Sequence, residues 1–307
     1  MEESITMDYA GRPLTVSTGR LAKQADGSVL VQYGDTVVIV TVVADKKESE
    51  RDFLPLTVNY QEMSYAAGKF PGGFFKREGK PSDREVLMSR LIDRSIRPLF
   101  PKNFRHETQV IATVLSADQE NDPALLGMLG ASCALTISQI PFDGPLAGVK
   151  IGRKDGRFVI NPTNEDMEES DIDIIVAAKK EAILMVEGAT RFIKGDDLIE
   201  AIHFGHQSLL PLIECQENLR ARYGKDKWLV KEEENIDELK KEMREKVETE
   251  LLEAFSIPTK LLRKDKENEI FERLVSDYAD IEEPALQKAF EDITKDIQLT
   301  KITQKQN

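Results

Sequence analysis

The chain has little of what would tie it to an oxidising compartment or a membrane. Cysteine is nearly absent: Cys133 and Cys215 are the only two in 307 residues. They lie far apart in apolar-periodic segments and read as buried reduced thiols of a cytoplasmic protein, not as a disulfide. No run of 18 apolar residues occurs, which argues against a membrane-spanning helix. The start, Met1-Glu2-Glu3-Ser4, is acidic and lacks an apolar stretch, unlike a secretory signal. Histidine is scarce as well. His203 and His206 have a helical spacing that could ligate metal, but no cysteine or third histidine is placed to join them, so structural roles are expected. Neither a Gly-x-Ser-x-Gly elbow nor a phosphate-binding Gly-rich loop ending in Lys-Ser/Thr is present.

Apolar residues make up 40% of the sequence, enough for a sizeable core, and the length suits two domains. Residues 1–224 carry β-branched runs at 29–32, 36–43, 53–60, 108–115, 146–151, 172–177 and 182–187. Tyr33-Gly34-Asp35 supplies the first turn, and Pro55 marks an edge strand or a bulge. An Ala/Leu-rich helix is expected over 124–140, with Gly127 and Gly130 permitting close packing, and an amphipathic helix over 196–219. Glycine is missing altogether after Gly224. The Lys/Glu-rich remainder, 225–307, has helical spacing and is divided by Pro258 and Pro284 into about three helices. An α+β domain (1–224) followed by an all-helical domain (225–307) is therefore expected, with Trp228 packing at the junction.

Net charge is −13, which by itself speaks against a general nucleic-acid coat. The charge is uneven, however. Between Lys69 and Arg105 ten Lys/Arg face four Asp/Glu; between Lys225 and Asn307 sixteen face twenty-two. The basic island opens with a Gly/Pro loop carrying Phe74-Phe75 beside Lys76-Arg77. Aromatics next to cations in a loop suit base stacking with phosphate binding; the plainer possibility is that one ring tucks under the loop as an anchor. Ser82 and Glu85 form a capping box that starts a helix. On that helix Arg90, Arg94 and Arg97 recur at i, i+4 and i+7, a stripe roughly 60° wide at about 100° per residue. Val86 and Leu87 fit the apolar side poorly. No carboxylate lies within the stripe, and Asp93 sits on its flank. Three like charges so placed point to a phosphate ligand, with internal ion pairs as the alternative.

These motifs carry a resemblance. Gly34-Asp35-Thr36-Val37-Val38, Phe-Pro-Gly-Gly-Phe-Phe-Lys-Arg-Glu-Gly-Lys-Pro-Ser over 70–82, Arg-Leu-Ile-Asp-Arg-Ser-Ile-Arg-Pro-Leu-Phe over 90–100, and Phe204-Gly205-His206 follow one another as in the polynucleotide phosphorylase family. The resemblance implies a first RNase PH-like core, with layers like those of ribosomal protein S5 domain 2, and then the family's helical domain. It implies phosphate-dependent 3′→5′ degradation of RNA, as in mRNA turnover, to nucleoside diphosphates in a homotrimeric ring. Inorganic phosphate would be the co-substrate, a single-stranded RNA 3′ end the partner, and other RNA-degradation proteins further partners. RNA-binding roles pass to Phe74, Phe75, Lys76, Arg77, Lys80, Arg90, Arg94 and Arg97. Lys76 and Lys80 stand where the family commonly has Arg, which keeps the charge but not the planar fork.

The reaction centre, with its Mg²⁺, is expected in a second core outside these residues. In this core Asp118, Glu120 and Asp122 stand where small hydroxyl residues would cradle phosphate, and they would repel it. Of an Asp-x3-Asp-x-Asp metal pattern, Asp171 and Asp173 are present, but Met167 takes the first position, flanked by Asp166 and Glu168. A thioether is a poor ligand for Mg²⁺. A catalytically silent RNA-binding subunit of an exosome-like ring is the alternative; these same departures weigh against a standalone RNase PH-type enzyme.

Overall fold

The structure is a computed structural model that describes residues 2–74, 76–118, 120–230, 237–279, 281 and 283–304. Chain contacts divide it into two compact units, Met1–Lys231 and Glu232–Asn307.

The first unit holds two sheets. The larger has the strand order β1 (Glu3–Tyr9), β2 (Arg12–Thr18), β3 (Gly27–Tyr33), β4 (Thr36–Glu48), β6 (His106–Ser116), β5 (Leu56–Glu62). All neighbours are antiparallel except β5 and β6, which run parallel. Gly34, at φ 59°, makes the tight turn between Tyr33 and Thr36, where only glycine is unstrained. Strand β5 begins directly after Pro55 and lies at the sheet edge, where a missing N–H is harmless. The smaller, antiparallel sheet runs β10 (Ile183–Thr190), β9 (Ile172–Ala178), β7 (Ala147–Lys154), β8 (Arg157–Ile160).

Helix α1 (Asp83–Ile96) packs on β5, and α2 (Pro123–Ile137) packs on β3 and β4. A short α3 (Asn164–Glu169) follows β8, and α4 (Gly195–Tyr223) covers β7 and β9. Nearly every α2 residue is buried, so an amphipathic stripe is absent and its apolar composition alone places it at the centre. Its glycines set the approach distance. A Cβ on Gly130 would lie 2.5 Å from Val40 Cγ2, and one on Gly127 3.3 Å from Ile92 Cδ1. Gly205 does the same for α4, where a Cβ would meet Ile151 Cδ1 at 2.4 Å. His206 shares a hydrogen bond with the Lys179 carbonyl at 3.0 Å, a structural link from α4 to the end of β9.

Beyond Gly224 the chain first runs back along this unit. Lys225 and Trp228 donate backbone N–H groups to the Ile137 and Gln139 carbonyls, and Lys227 Nζ donates to the Leu135 and Ser138 carbonyls. A cation thus satisfies carbonyls at the negative end of α2. Trp228 lies against His106 and Phe104, with ring centroids 5.4 and 6.4 Å away.

The second unit packs α5 (Asp237–Ala254), α6 (Lys260–Asp277) and α7 (Glu283–Gln304) around Met243, Val247, Leu251, Ile270, Leu274, Leu286 and Phe290. The helix breaks fall at Pro258 and beside Pro284, where a ring replaces the N–H donor.

Candidate nucleic-acid interface

The basic loop stands away from the protein body. A Cβ at Gly68, Gly72, Gly73 or Gly79 would meet nothing within 4 Å. Phe74 is 93% exposed, so this ring does not tuck under the loop. Lys76, Arg77 and Lys80 are exposed as well, and Lys76 takes a left-handed backbone at φ 51°. Phe75 lies outside the described residues. One feature unread in the sequence fixes the loop's base. Glu78 accepts from the Ser64 backbone N–H at 2.8 Å with one oxygen and from the Ser64 hydroxyl at 3.1 Å with the other. Nothing local in the sequence pairs residues fourteen apart across a glycine loop.

Helix α1 starts at the expected capping box, with Ser82 and Glu85 bonded reciprocally. Glu85 also accepts from the Glu62 N–H at 2.9 Å, and the Ser89 hydroxyl accepts from the Tyr60 N–H at 2.9 Å. Side chains of α1 therefore satisfy the open edge of β5. Leu91, Ile92 and Ile96 are buried, whereas Val86 and Leu87 point outward.

The arginine stripe is exposed but not uniform. Arg97 is committed to the fold: it binds Asp93 through two nitrogens at 2.6 and 3.0 Å and donates to the Leu54 and Leu56 carbonyls. Arg94 pairs with Glu187 of β10 at 3.2 Å, both side chains being more than half exposed. Arg90 makes no hydrogen bond or ion pair among the described residues and borders a groove of about 390 Å³ between β5 and α1. The premise that no carboxylate serves the stripe thus needs correction. Asp93 reaches Arg97 from the flank because i, i+4 side chains meet on a helix, and Glu187 arrives from a strand 93 residues away.

A second depression, of about 430 Å³, opens where α2 begins, lined by Glu62, Arg84, Glu120, Asp122, Lys150 and Asn164 among others. Its acidic residues are engaged with the fold. Asp122 caps α2 by accepting from the Ala124 N–H, and Arg84 bridges Asp122 and Glu62. Asp118 accepts from the Glu120 and Asn121 N–H groups and from the Asn121 amide. Burial pushes this carboxyl up, but those donors outweigh it and hold it at about 2, against an ordinary 3.8. Its stabilisation is therefore complete above pH ~4 and fades as pH falls through ~2. Thermal melts from pH ~5 to ~2 are expected to show a steeper loss for wild type than for Asp118→Asn; parallel curves would refute the assignment.

The carboxylates at the start of β9 are likewise paired. Arg153 binds Asp171 through two nitrogens and Asp197 at 3.0 Å, and it holds the Asp171 carboxyl below the usual range. Lys150 binds Asp173 at 3.1 Å. Met167 lies over Gly152, its Sδ 3.1 Å from where a Cβ would stand. Asp166 is used by the Thr163 capping box of α3 and by Lys154. Among the described residues no group of three or more His, Cys, Asp or Glu could hold a metal ion.

Known proteins match both sheets. Residues 10–141 fit the profile described as 3′ exoribonuclease family, domain 1, and residues 144–208 fit domain 2 of the same family, together more than half the chain. The chain belongs to the 3′ exoribonuclease family. Within it, the chain is 53% identical over 264 residues to a polyribonucleotide nucleotidyltransferase of Geotalea uraniireducens, covering 86% of this chain and 38% of that protein. It is 49% identical over 290 residues to the enzyme of the same name from Halalkalibacterium halodurans, covering 94% and 41%. This family member therefore spans about two fifths of the length of those relatives. Its fold also resembles the crystal structure of rice (Oryza sativa) Rrp46, with a TM-score of 0.54 at 14% identity, covering 69% of this chain and 95% of that one. The α+β, RNase PH-like architecture expected from the sequence is the one found.

Proposed function

We propose that the chain is the N-terminal, RNA-holding part of a cytoplasmic polynucleotide phosphorylase. In this reading 1–224 is the first core and 225–307 the helical linker to a second core, with 225–230 as its lead-in. Inorganic phosphate attacks the phosphorus of the 3′-terminal phosphodiester, the O3′ of the preceding nucleotide leaves, and a nucleoside diphosphate is released. This chain's part is to hold the single-stranded 3′ end while a second core performs the step. Homotrimeric assembly and association with other RNA-degrading proteins belong to the same reading. Mg²⁺ is assigned to the second core, because the residues here do not fit it: Asp171 and Asp173 already have Arg153 and Lys150, and Met167 offers only a thioether.

The observation that carries the reading is Arg90, an exposed guanidinium without a partner among the described residues, on the same helix face as Arg94 and on the helix into which the Phe74 loop leads. A phosphate is the bidentate ligand such a group lacks. Arg94 is available too, since its exposed pair with Glu187 is worth little in water. Phe75, Lys76, Arg77 and Lys80 are assigned to RNA on the family motif and their charge or ring, whereas Arg97, held by Asp93 and two carbonyls, is left to the fold. In the complete protein, Arg90→Ala is expected to weaken binding of single-stranded RNA and to reduce the slope of log K against log salt by about 0.7, one phosphate contact. A titration series with an unaltered slope would sink this assignment.

A further inference from the structure

We infer that Phe70 is a second base-stacking platform of the RNA-holding loop, kept in reach by the clasp between Glu78 and Ser64. The inference rests on the RNA-binding reading and extends it to two residues outside the Phe-Phe-Lys-Arg stretch.

Phe70 is 92% exposed and makes no ring contact among the described residues. A phenyl ring held in water forgoes the burial that favours it elsewhere, so the loop gains nothing from Phe70 until something covers the ring. The short helical turn Ser64–Ala67 ends at Gly68, at φ 67°, and Pro71 biases Phe70 towards an extended backbone. Gly72 and Gly73 follow, Gly73 at φ 75°, and the chain reverses to present Phe74, itself 93% exposed. Each leg of this turn thus carries an exposed ring with a lysine close by: Lys69-Phe70 on one, Phe74 and Lys76 on the other. A ring beside a cation is what a nucleotide needs, a flat apolar face for its base and a positive charge for its phosphate. The rings stack on any base, so the pair grips the strand without reading it.

The clasp explains how so open a loop keeps a defined reach. Glu78 closes residues 64 to 78 through two hydrogen bonds, and the Lys69 N–H adds a bond to the Ser64 carbonyl at 3.0 Å. Both legs are thereby tied at one point, and the entropy of holding the tip is largely spent before RNA arrives. Glu78 is a positioning residue here, not a contact.

The test uses the complete protein and two fluorescein-labelled probes of equal length, oligoadenylate and an abasic ribose-phosphate oligomer, followed by anisotropy. Phe70→Ala is expected to weaken oligoadenylate binding about tenfold and to leave abasic binding unchanged, with Phe70→Trp restoring it. Glu78→Gln is expected to weaken oligoadenylate binding, to leave the melting temperature unchanged, and to cost less in the Phe70→Ala background than in wild type, the remainder acting through Phe74. Arg90→Ala, as the reference, should weaken both probes. If Arg90→Ala does so while Phe70→Ala leaves oligoadenylate binding intact, or weakens both probes equally, the RNA reading stands and the platform is overturned. Fully additive losses for Phe70→Ala and Glu78→Gln overturn the clasp. If no variant affects either probe, the RNA reading itself falls.

Discussion

Residues 1–307 alone, given poly(A), inorganic phosphate and Mg²⁺, are expected to release nucleoside diphosphates at least ~10³-fold more slowly than the complete protein, a loss on the scale of removing transition-state donors. The reason lies in what the side chains at the first core already do. A phosphate nucleophile would have to enter the depression where α2 begins, and that helix end is capped by the Asp122 carboxylate, with Glu62 and Glu120 alongside. Anion repulsion there is not relieved by Arg84, which is bonded to Asp122 and Glu62 themselves. At the start of β9, a divalent cation would have to displace the Arg153 guanidinium from Asp171 and the Lys150 ammonium from Asp173. Chromatographic or coupled detection of the diphosphates measures the outcome. Phosphate-dependent release that scales with the amount of pure 1–307 and disappears on Asp173→Ala would place the chemistry in this core and refute the proposal.

A large loss of stability is expected from Gly27→Ala. Gly27 opens β3 against the last turn of α2, where a Cβ would lie 2.2 Å from the Ala134 carbonyl oxygen and 2.9 Å from its carbon. Both are backbone atoms inside the main core, so no side chain can swing away, and the strand or the helix must shift. Overpacking of this kind costs ~3 kcal/mol, which for a unit of this size lowers the melting temperature by about 6–12 °C. Gly195→Ala is the matched control. Gly195 is the first residue of α4, and its added Cβ would meet nothing within 4 Å. The control should melt at or slightly above wild type, by up to about 1 kcal/mol, because alanine restricts the unfolded chain. A Gly27→Ala protein that melts with wild type would mean that β3 and α2 are not packed at this distance.

By itself the sequence determined the features whose causes are local. Alternating β-branched runs produced β3, β4 and β6; the Ser82/Glu85 box produced the start of α1; unbroken apolar composition made α2 central; and the prolines at 258 and 284 spaced the C-terminal helices. It named no run for β1 or β2, and it missed β8 and α3, a strand of four residues and a helix of six, too short for periodicity to register. Only the tertiary structure decided what the charged side chains are free to do. Arginines that look equivalent on a helical wheel divide into one bound to Asp93 and two carbonyls, one lightly held by Glu187, and Arg90 with no partner among the described residues. The basic island is cationic by composition. How much of that charge remains for a phosphate depends partly on Asp93, an i, i+4 neighbour, and partly on Glu187 and the Leu54 and Leu56 carbonyls, which come from distant segments that no local pattern encodes.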